Sequence, residues 1–408
     1  MKRSTVLILV LAVITSIVGC SNQEQSHPQK TLLISFDGFR HDYLSKVDTP
    51  HFDTLTANGV AADGLIPVFP SKTFPSHYSI ATGLYPEHTG MVGNTMYDPD
   101  WEEWYRIRDR QAVTNGKWYG GEPIWNTLEK QGIRTGTMFW VGSEADIQGM
   151  RPTHWKIYDE SMSDRARIDT VLKWMAASDT QAVDFGTLYF SHVDSKGHRY
   201  GIDSDSLKNA IRKSDQILGY LKQQMKKHNL WQNINLVIVS DHGMVDQSAD
   251  KTIRLDNIIN MENAERIIWG PLTMIWPKQG TEEQLYQSLK ANAGDYRVFK
   301  KENLPERYQL KNHRRVSDIL VVADLGYTIL DEEYEQQFVE SLPRATHGYD
   351  SNQKAMQGLF RAHGPAFKVG ANVEAFRSIH IYELVNHLMG TEPAQNDGSL
   401  DSVRVLLN

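Results

Sequence analysis

The sequence is poor in three features that would otherwise narrow its class. It contains one cysteine in 408 residues, which excludes an internal disulfide. It has no basic surplus, because 43 Lys and Arg residues stand against 50 Asp and Glu residues, so a duplex-DNA partner is not expected. Its N-terminal apolar run, residues 6–18, falls short of the roughly 20 residues that span a bilayer. The remaining composition, 40% hydrophobic and 23% charged, is typical of a globular chain.

The N-terminal segment has the organisation of an export signal. Two basic residues precede the apolar run, which ends just before Cys20. This end resembles a bacterial lipobox, in which the cysteine becomes the lipidated first residue of the mature chain. We therefore expect a lipoprotein signal peptide at residues 1–19 and a lipidated tether at residues 20–30. By resemblance to the sorting rule of enterobacterial lipoproteins, Ser21 implies an outer-membrane location, expected to face the periplasm, and an uncleaved N-terminal anchor is the alternative.

Three apolar segments each lead to an aspartate, and they carry the main structural signal. They are TLLISFDGF at residues 31–39 with Asp37, DFGTLYFSHVD at residues 184–194 with Asp194, and INLVIVSDHG at residues 234–243 with Asp241. Continuous apolar strands are typical of a sheet that is buried on both faces. Helical patterns at residues 165–175 and 206–227 lie between them, so the sequence predicts an α/β fold with a mostly parallel central sheet flanked by helices on both faces. Ligands bind beyond the carboxyl ends of such strands.

Two of these aspartates have histidines at a spacing that suits a metal ion. Asp194 and His198 are four residues apart and can meet on one side of a helical turn. Asp241 and His242 are adjacent at a strand end, where a turn at the next glycine can point both side chains at one ion. Carboxylate oxygen and imidazole nitrogen together suit Zn²⁺ or a similar divalent metal.

A threonine near a predicted helix start is the candidate nucleophile. In PSKTFPSH, residues 70–77, Pro75 marks a first helical turn, and the helix is expected to continue through residues 76–84. This places Thr73 near the N-cap, where a plain capping role is the alternative. Coordination to a dication would lower the pKa of its hydroxyl, and the helix end would help to hold a phosphate.

The order of the longer motifs is similar to that of one enzyme family. These motifs are SFDGFR, PSKTFPSHYSIATGLYPEHTGMVGN, GGEPIW, HVDSKGHRYG, SDHGM and ATHGYD. Together they resemble the nucleotide pyrophosphatase/phosphodiesterase family of the alkaline phosphatase superfamily. The resemblance runs from about Thr31 to beyond Lys368. It implies an alkaline-phosphatase-like fold and a single phosphodiesterase catalytic domain over residues 31–408.

The resemblance also implies a ligand set for two Zn²⁺ ions. One ion would be held by Asp37, Thr73, Asp241 and His242, and the other by Asp194, His198 and His347. His363 competes with His347, but the family's ligand lies in a His-Gly motif that precedes an LF-x-x-x-GP segment, and His347 fits that place. Thr73 would attack phosphorus and form a threonyl-phosphate. Asn94 would donate its amide to a phosphate oxygen, and its alternative is a turn residue after glycine.

The expected substrate is a nucleotide that carries a phosphodiester or pyrophosphate bond. By resemblance, Phe74 and Tyr158 match family positions that contact the two faces of a nucleobase, whereas core packing is the alternative for both. Gly120 stands where several animal relatives have lysine, which weakens an expectation of tight terminal-phosphate binding. His77, His88 and His192 are expected to pack or to support the ligands from behind.

Three other functions remain open at this point. Relatives that hydrolyse phospholipids or choline phosphodiesters differ mainly in their pockets, and phosphomonoesterases belong to the same superfamily. No arginine stands near Thr73, and monoesterases often add one around the extra phosphate oxygens. A lipoprotein with a binding role on a degenerate enzyme fold is the third alternative, against which the intact set of ligands argues. The sequence indicates no protein partner.

Overall fold

The computed structural model describes residues 29–338 and 343–408. The expected signal peptide, Cys20 and nearly all of the tether lie outside the described residues. In chain order the strands are β1 (Lys30–Phe36), β2 (Val60–Ala62), β3 (Leu65–Ile66), β4 (Thr95–Asp98), β5 (Glu103–Arg106), β6 (Thr135–Met138), β7 (His154–Trp155), β8 (Phe185–Phe190), β9 (Ile234–Val239), β10 (Val245–Asp246), β11 (Thr252–Arg254), β12 (Ala264–Ile268), β13 (Leu272–Pro277), β14 (Tyr296–Lys300), β15 (Ile319–Ala323), β16 (Thr328–Leu330), β17 (Ala345–Thr346), β18 (Phe360–His363), β19 (Ala371–Val373) and β20 (Phe376–Arg377). The α-helices are α1 (Pro50–Ala57), α2 (Thr73–Thr82), α3 (Pro86–Thr89), α4 (Arg110–Val113), α5 (Ile124–Lys130), α6 (Asp164–Met175), α7 (His192–Tyr200), α8 (Asp205–Lys227), α9 (Glu282–Ala291), α10 (Glu332–Phe338) and α11 (His380–Met389).

The central sheet has eight strands in the described part of the chain, in the order β19-β2-β18-β9-β1-β8-β6-β7. Strands β9, β1, β8, β6 and β7 run parallel to one another, whereas β18 is antiparallel to both β9 and β2. The predicted α/β fold with a mostly parallel sheet is therefore confirmed. The three strands that lead to aspartates are direct neighbours, so their carboxyl ends meet at one edge of the sheet.

Alternate residues of the central strands pack on opposite faces, as the pleat requires. Leu33 of β1 belongs to a core that includes α2, α5 and α11, whereas Leu32 and Ile34 belong to a second core under α6 and α8. The two longest helices on that second face begin at serine caps. Ser163 accepts from the N–H of Ala166, and Ser204 caps α8 in the same way.

A second sheet packs beside the first. It is antiparallel, with the order β12-β13-β15-β14. One of its faces packs with α9 in a third core, and its other face contributes Leu272 and Met274 to the core that contains α2. The boundaries expected for a single domain, residues 31–408, remain a prediction.

Residues 97–119 cover one side of the active face. Strands β4 and β5 form an antiparallel pair within this stretch. Asp98 fixes this hairpin, because its buried carboxylate accepts from the guanidinium of Arg315 at 2.7 Å. Ile107 and Arg110 from the same stretch line the main cavity. Within the described residues, no helix has the length and apolar character needed to cross a membrane.

Candidate active site

The three predicted aspartates converge at the carboxyl edge of the central sheet. Asp37 directly follows β1, Asp241 comes two residues after β9, and Asp194 lies in the first turn of α7, just beyond β8. The turn after β1 requires glycine. Gly38 has φ +66°, and a Cβ there would lie 2.8 Å from the Cβ of Asp194. The close approach of these two chain segments is what brings two of the carboxylates together.

One group of ligand atoms surrounds His242. Its Nε2 lies 3.1 Å from Oδ2 of Asp241 and 3.4 Å from Oδ1 of Asp37. The hydroxyl oxygen of Thr73 is 3.3 Å from the same nitrogen. The carboxylate and imidazole ligand atoms of this group all lie within 4.8 Å of one another. The four residues predicted to share one metal are therefore neighbours in space.

A second group surrounds Asp194. His198 lies one helical turn away on α7, with its Nε2 3.3 Å from Oδ1 of Asp194. His347 follows β17 and places its Nε2 3.8 Å from the same oxygen. The ring of His347 also stacks on that of His242, with centroids 3.5 Å apart. The two groups are thus contiguous, as a two-metal site requires.

His363, the competing ligand, lies elsewhere. It is in β18, which runs antiparallel to β9, and it pairs with Leu236 near the start of β9. Its ring stacks on Trp231 and its Nδ1 lies 2.8 Å from the carbonyl oxygen of Asn58. This position is toward the amino ends of the parallel strands, away from the aspartates.

The three histidines of the cluster are oriented alike. Nδ1 lies 2.9 Å from the carbonyl oxygen of Gly243 in His242, 2.7 Å from that of Ala345 in His198, and 2.8 Å from that of Ser71 in His347. A carbonyl accepts only, so Nδ1 donates and the neutral ring leaves its Nε2 lone pair free. Metal-ligating histidines are commonly oriented in this way.

The donor set fits divalent cations. Oδ1 of Asp37, Oδ1 of Asp194 and Oδ2 of Asp241 are buried and have no hydrogen-bond partner within the described residues. Each of these oxygens faces an Nε2 atom, and two lone pairs at that distance repel unless a cation or proton lies between them. Buried charges are normally paired or coordinate metals. The clustered oxygen and nitrogen ligands are those that zinc accepts.

The carboxyl groups have divergent pKa values. Burial, with the charges of Asp241 and Asp194, raises the pKa of Asp37 well above its usual range. Burial acts likewise on Asp241, but neighbouring histidines led by His242 outweigh it and hold the pKa below its usual range. For Asp194, burial is again outweighed, here by His198, and the pKa is about 2. Burial opposes protonation of His198, yet Asp194 raises its pKa to about 9. Asp194 and Asp241 are therefore ionised at neutral pH, whereas Asp37 is shifted toward its neutral form.

The candidate nucleophile lies at the start of α2. The helix begins at Thr73 itself, close to the start that the sequence predicted, with Lys72 as the N-cap. The N–H of Phe74 donates to Oδ1 of Asn94 at 3.0 Å, and that of Ser76 donates to the carbonyl of Lys72. Since Pro75 has no N–H, the N–H of Thr73 is the first-turn donor that remains for an anion. Because its oxygen accepts from Phe74, Asn94 has its amide N–H groups left to donate.

A cavity of about 580 Å³ opens beside the cluster. Its wall includes Thr73, Phe74, Asn94 and Tyr158, so the predicted pocket residues share one space with the metal ligands. This volume lies within the range typical of small-molecule sites. Gly120 does not line this cavity, and a Cβ there would lie 2.8 Å from the carbonyl oxygen of Thr89.

Tyr189 is a site residue that the sequence reasoning missed. Its hydroxyl donates to Oδ2 of Asp37 at 2.5 Å, which fixes the carboxylate and turns Oδ1 toward the cluster. Only the pairing register of β8 with β1 could have indicated this role, because it places Tyr189 beside Ser35, two residues before Asp37. His77 supports the cluster from behind, as expected, with Nδ1 3.2 Å from Oδ2 of Asp241 and Nε2 2.8 Å from the hydroxyl of Ser35.

The sequence and fold are similar to those of known proteins. A family model described as type I phosphodiesterase / nucleotide pyrophosphatase matches residues 31–350. Human ectonucleotide pyrophosphatase/phosphodiesterase family member 5 is 36% identical over 384 residues, which cover 94% of this chain and 79% of that protein. Human bis(5′-adenosyl)-triphosphatase ENPP4 is 35% identical over 389 residues, covering 95% and 84%.

One similar solved structure contains a bound nucleotide. An inactive threonine-to-alanine variant of murine ectonucleotide pyrophosphatase/phosphodiesterase 5 in complex with AMP superposes with a TM-score of 0.88 at 35% identity, covering 93% of this chain and 100% of that one. Members of this family are hydrolases of phosphodiester and pyrophosphate bonds and depend on metal ions. The chain belongs to the type I phosphodiesterase/nucleotide pyrophosphatase family.

Proposed function

We propose that this chain is a two-zinc nucleotide pyrophosphatase/phosphodiesterase that releases nucleoside 5′-monophosphates through a threonyl-phosphate on Thr73. The observation that carries the proposal is the position of the Thr73 hydroxyl. It lies 3.3 Å from Nε2 of His242, at the first turn of α2, inside a cluster of carboxylate and imidazole ligands. A capping role alone does not require the threonine hydroxyl to lie beside such a cluster.

The residues divide between two ions as their geometry suggests. Asp37, Thr73, Asp241 and His242 would hold one zinc, and Asp194, His198 and His347 would hold the other. Bound zinc would supply the positive charge that lowers the pKa of the Thr73 hydroxyl and offsets the charge of the phosphate. The backbone carbonyls that accept from the three Nδ1 atoms keep each imidazole in the tautomer that can ligate.

The chain's own groups carry out the substitution at phosphorus. The Thr73 oxygen forms a bond to phosphorus, and the bond to the leaving oxygen breaks with its electron pair. The Thr73 N–H and the Asn94 amide donate to the non-bridging oxygens, whose charge grows in the transition state. Water then cleaves the threonyl-phosphate ester, which releases the nucleoside 5′-monophosphate and restores the hydroxyl.

A nucleotide suits the main cavity better than a choline phosphodiester does. Phe74 follows the nucleophile directly, and it and Tyr158 both line the cavity, so two aromatic rings stand beside the reacting phosphate. Base–aromatic stacking contributes about 1–3 kcal/mol per base. The murine relative binds AMP in a solved complex, and the name of ENPP4 specifies a bis(5′-adenosyl)triphosphate substrate.

We further propose that the protein is anchored by a lipid on Cys20, in the outer membrane and facing the periplasm. The chain enters the described fold at Gln29 and proceeds along β1 from Lys30 toward Asp37. The tether therefore joins the sheet at the edge opposite the active site. An anchor there would leave the cavity open to soluble substrates.

The nucleophile is tested with a chiral thiophosphate diester of adenosine. Two successive in-line displacements give net retention at phosphorus, whereas direct attack by water gives inversion. Thr73→Ala should lower kcat/KM by several orders of magnitude, Thr73→Ser should retain some turnover, and Thr54→Ala, an exposed threonine on α1, should match the parent enzyme. Inversion in the parent enzyme would overturn the assignment. Preferential hydrolysis of glycerophosphocholine over nucleotides would overturn the substrate class.

A further inference from the structure

A buried arginine lies behind the wall of the main cavity. Arg167 belongs to α6, is only 3% exposed and does not line the cavity itself. Its guanidinium donates to four backbone carbonyls, from Nε to Met162 at 3.0 Å, from Nη1 to Tyr189 at 3.0 Å, and from Nη2 to Asp159 at 3.3 Å and Glu160 at 3.4 Å. Within the described residues it forms no ion pair with a carboxylate. Buried charges are normally paired with an opposite charge, so core packing alone does not account for an arginine at this position.

The four carbonyls belong to two segments of the cavity wall. Residues 157–162 connect β7 to α6 without helix or strand, and Tyr158 within this connection lines the cavity. Three of the carbonyls lie in the connection, and the fourth belongs to Tyr189 in β8. In the part of the chain that the structure describes, Arg167 donates every hydrogen bond that joins the backbone of residues 157–162 to another segment. Hydrogen bonds from a charged donor are roughly twice as strong as neutral ones, so this one side chain fastens the connection to the sheet.

The aromatic rings of this wall pack together with the guanidinium. Cζ of Arg167 lies 5.0 Å from the ring centroid of Phe139 and 6.0 Å from that of Tyr158. These two rings meet edge to face with centroids 5.0 Å apart, and the ring of Tyr158 also meets that of Tyr189 at 6.0 Å. Phe139 has φ +65°, a conformation that is disfavoured for an aromatic residue and persists only where its neighbours fix it. The position of the Tyr158 ring therefore depends on a packed group that contains Arg167.

We propose that Arg167 is a positioning residue for substrate recognition, which holds Tyr158 in the orientation that receives the nucleobase. The proposal rests on the function proposed above, in which Tyr158 contacts one face of the base. A ring that is fixed before binding gives a stronger contact, because no segment has to be ordered when the substrate arrives. Arg167 does not face the reacting phosphate, so its loss should weaken the contact with the base and spare a diester that has no base.

Two methyl esters that differ in the base test this role. The methyl ester of AMP carries adenine, whereas the methyl ester of ribose 5-phosphate has a hydroxyl in its place, so the ratio of their kcat/KM values reports the contribution of the base. Arg167→Met keeps an apolar stem and removes every N–H donor. In zinc-loaded enzyme it should lower this ratio, by up to the roughly 5- to 150-fold expected for Tyr158→Ala. The base is contacted before and during the reaction alike, so the KM of the AMP ester should rise while its kcat changes little.

A double variant shows whether Arg167 acts through Tyr158. If it does, the combination of Arg167→Met with Tyr158→Ala should give the same ratio as Tyr158→Ala alone, because the contact that Arg167 orders is already absent. Losses that multiply would overturn the positioning role, since the arginine would then act independently of the tyrosine. Arg165→Met is the matched control. Arg165 is an exposed arginine of the same helix that lies over the ring of Tyr220, and its variant should keep the parent ratio.

The outcomes separate this proposal from the function on which it depends. If Arg167→Met does not fold, as judged by thermal melting, Arg167→Lys replaces it, because lysine keeps the charge but its compact ammonium cannot span the four carbonyls. A role in stability alone would lower kcat/KM for both esters in proportion. An unchanged ratio in a folded, zinc-loaded Arg167 variant, beside a lowered ratio in Tyr158→Ala, would thus overturn the positioning role and leave the proposed function intact. An unchanged ratio in Tyr158→Ala would instead overturn the nucleobase contact of the proposed function.

Discussion

The metal cluster predicts that zinc raises the thermal stability of the protein and that each of the two sites contributes a separate part of the increase. In zinc-free protein the buried carboxylates of Asp37 and Asp241 lie within 4.8 Å of each other. Two unit charges at that distance would repel by about 3 kcal/mol at an effective dielectric constant of 20, and burial together with this repulsion raises the pKa of Asp37. Zinc relieves this repulsion and binds the folded chain through a geometry that the unfolded chain lacks. The free energy of unfolding should therefore rise when zinc is added.

The size of the effect follows from linkage. A ligand at one hundred times its Kd stabilises the folded state by about 2.7 kcal/mol per site. The entropy of unfolding is about 2.1 cal/mol/K per residue, or about 0.9 kcal/mol/K for 408 residues. The Tm should thus rise by about 3 °C for one site and about 6 °C for two. Differential scanning fluorimetry of chelator-treated protein, titrated with zinc, measures this shift, and elemental analysis gives the bound equivalents.

Two histidine variants make the prediction specific. His347→Ala should reduce the zinc-induced shift to about 3 °C and the zinc content to about one equivalent. His363→Ala loses its stack on Trp231 and starts from a lower Tm, but it should keep the full shift and both ions. The shift is measured within each variant, so the baseline loss does not matter. The reasoning would be refuted if zinc did not change the Tm of the parent protein. It would also be refuted if the zinc-induced shift were halved in the His363 variant and intact in the His347 variant.

The aspartates were predictable because their signal is local. Each apolar strand, such as β1, can be recognised from its own residues, and parallel neighbours place their carboxyl ends together. The start of α2 was predicted nearly as well, because Pro75 marks a first helical turn. Thr73 was expected near the N-cap, and it is the first residue of the helix, with Lys72 as the N-cap.

The contacts of Arg167 were not predictable in this way. Arg167 belongs to α6, Phe139 follows β6, and Tyr189 belongs to β8. Non-local packing of α6 against the central sheet brings these residues together, and no periodicity within a segment reports such packing. Tyr189 illustrates the same limit, because only the register of β8 against β1 reveals its bond to Asp37.

The remaining predictions concern the pocket, the anchor and pH. Phe74→Ala and Tyr158→Ala should each lower kcat/KM for nucleotides roughly 5- to 150-fold while sparing a diester without a ring on that side; equal losses for both substrates in steady-state assays would contradict the stacking role. Cys20→Ser should move the protein from membrane to soluble fractions, and a variant that stays membrane-bound would indicate an uncleaved helix. Because of His313, the free energy of unfolding should decrease in mild acid. Burial and the nearby guanidinium of Arg315 lower its pKa to about 4, whereas an unfolded histidine titrates near 6.5. The unfolded chain therefore takes up this proton first, and the contribution of His313, fully present above pH 6.5, is lost as pH falls toward 4. Between pH 7 and pH 5 the full shift would remove about 2 kcal/mol, and solvent screening of this partly exposed ring reduces that to about 1 kcal/mol. His313→Gln should accordingly lose about 1 kcal/mol less unfolding free energy than the parent across that interval in urea titrations, and an equal or larger loss in the variant would show that His313 titrates normally in the folded protein.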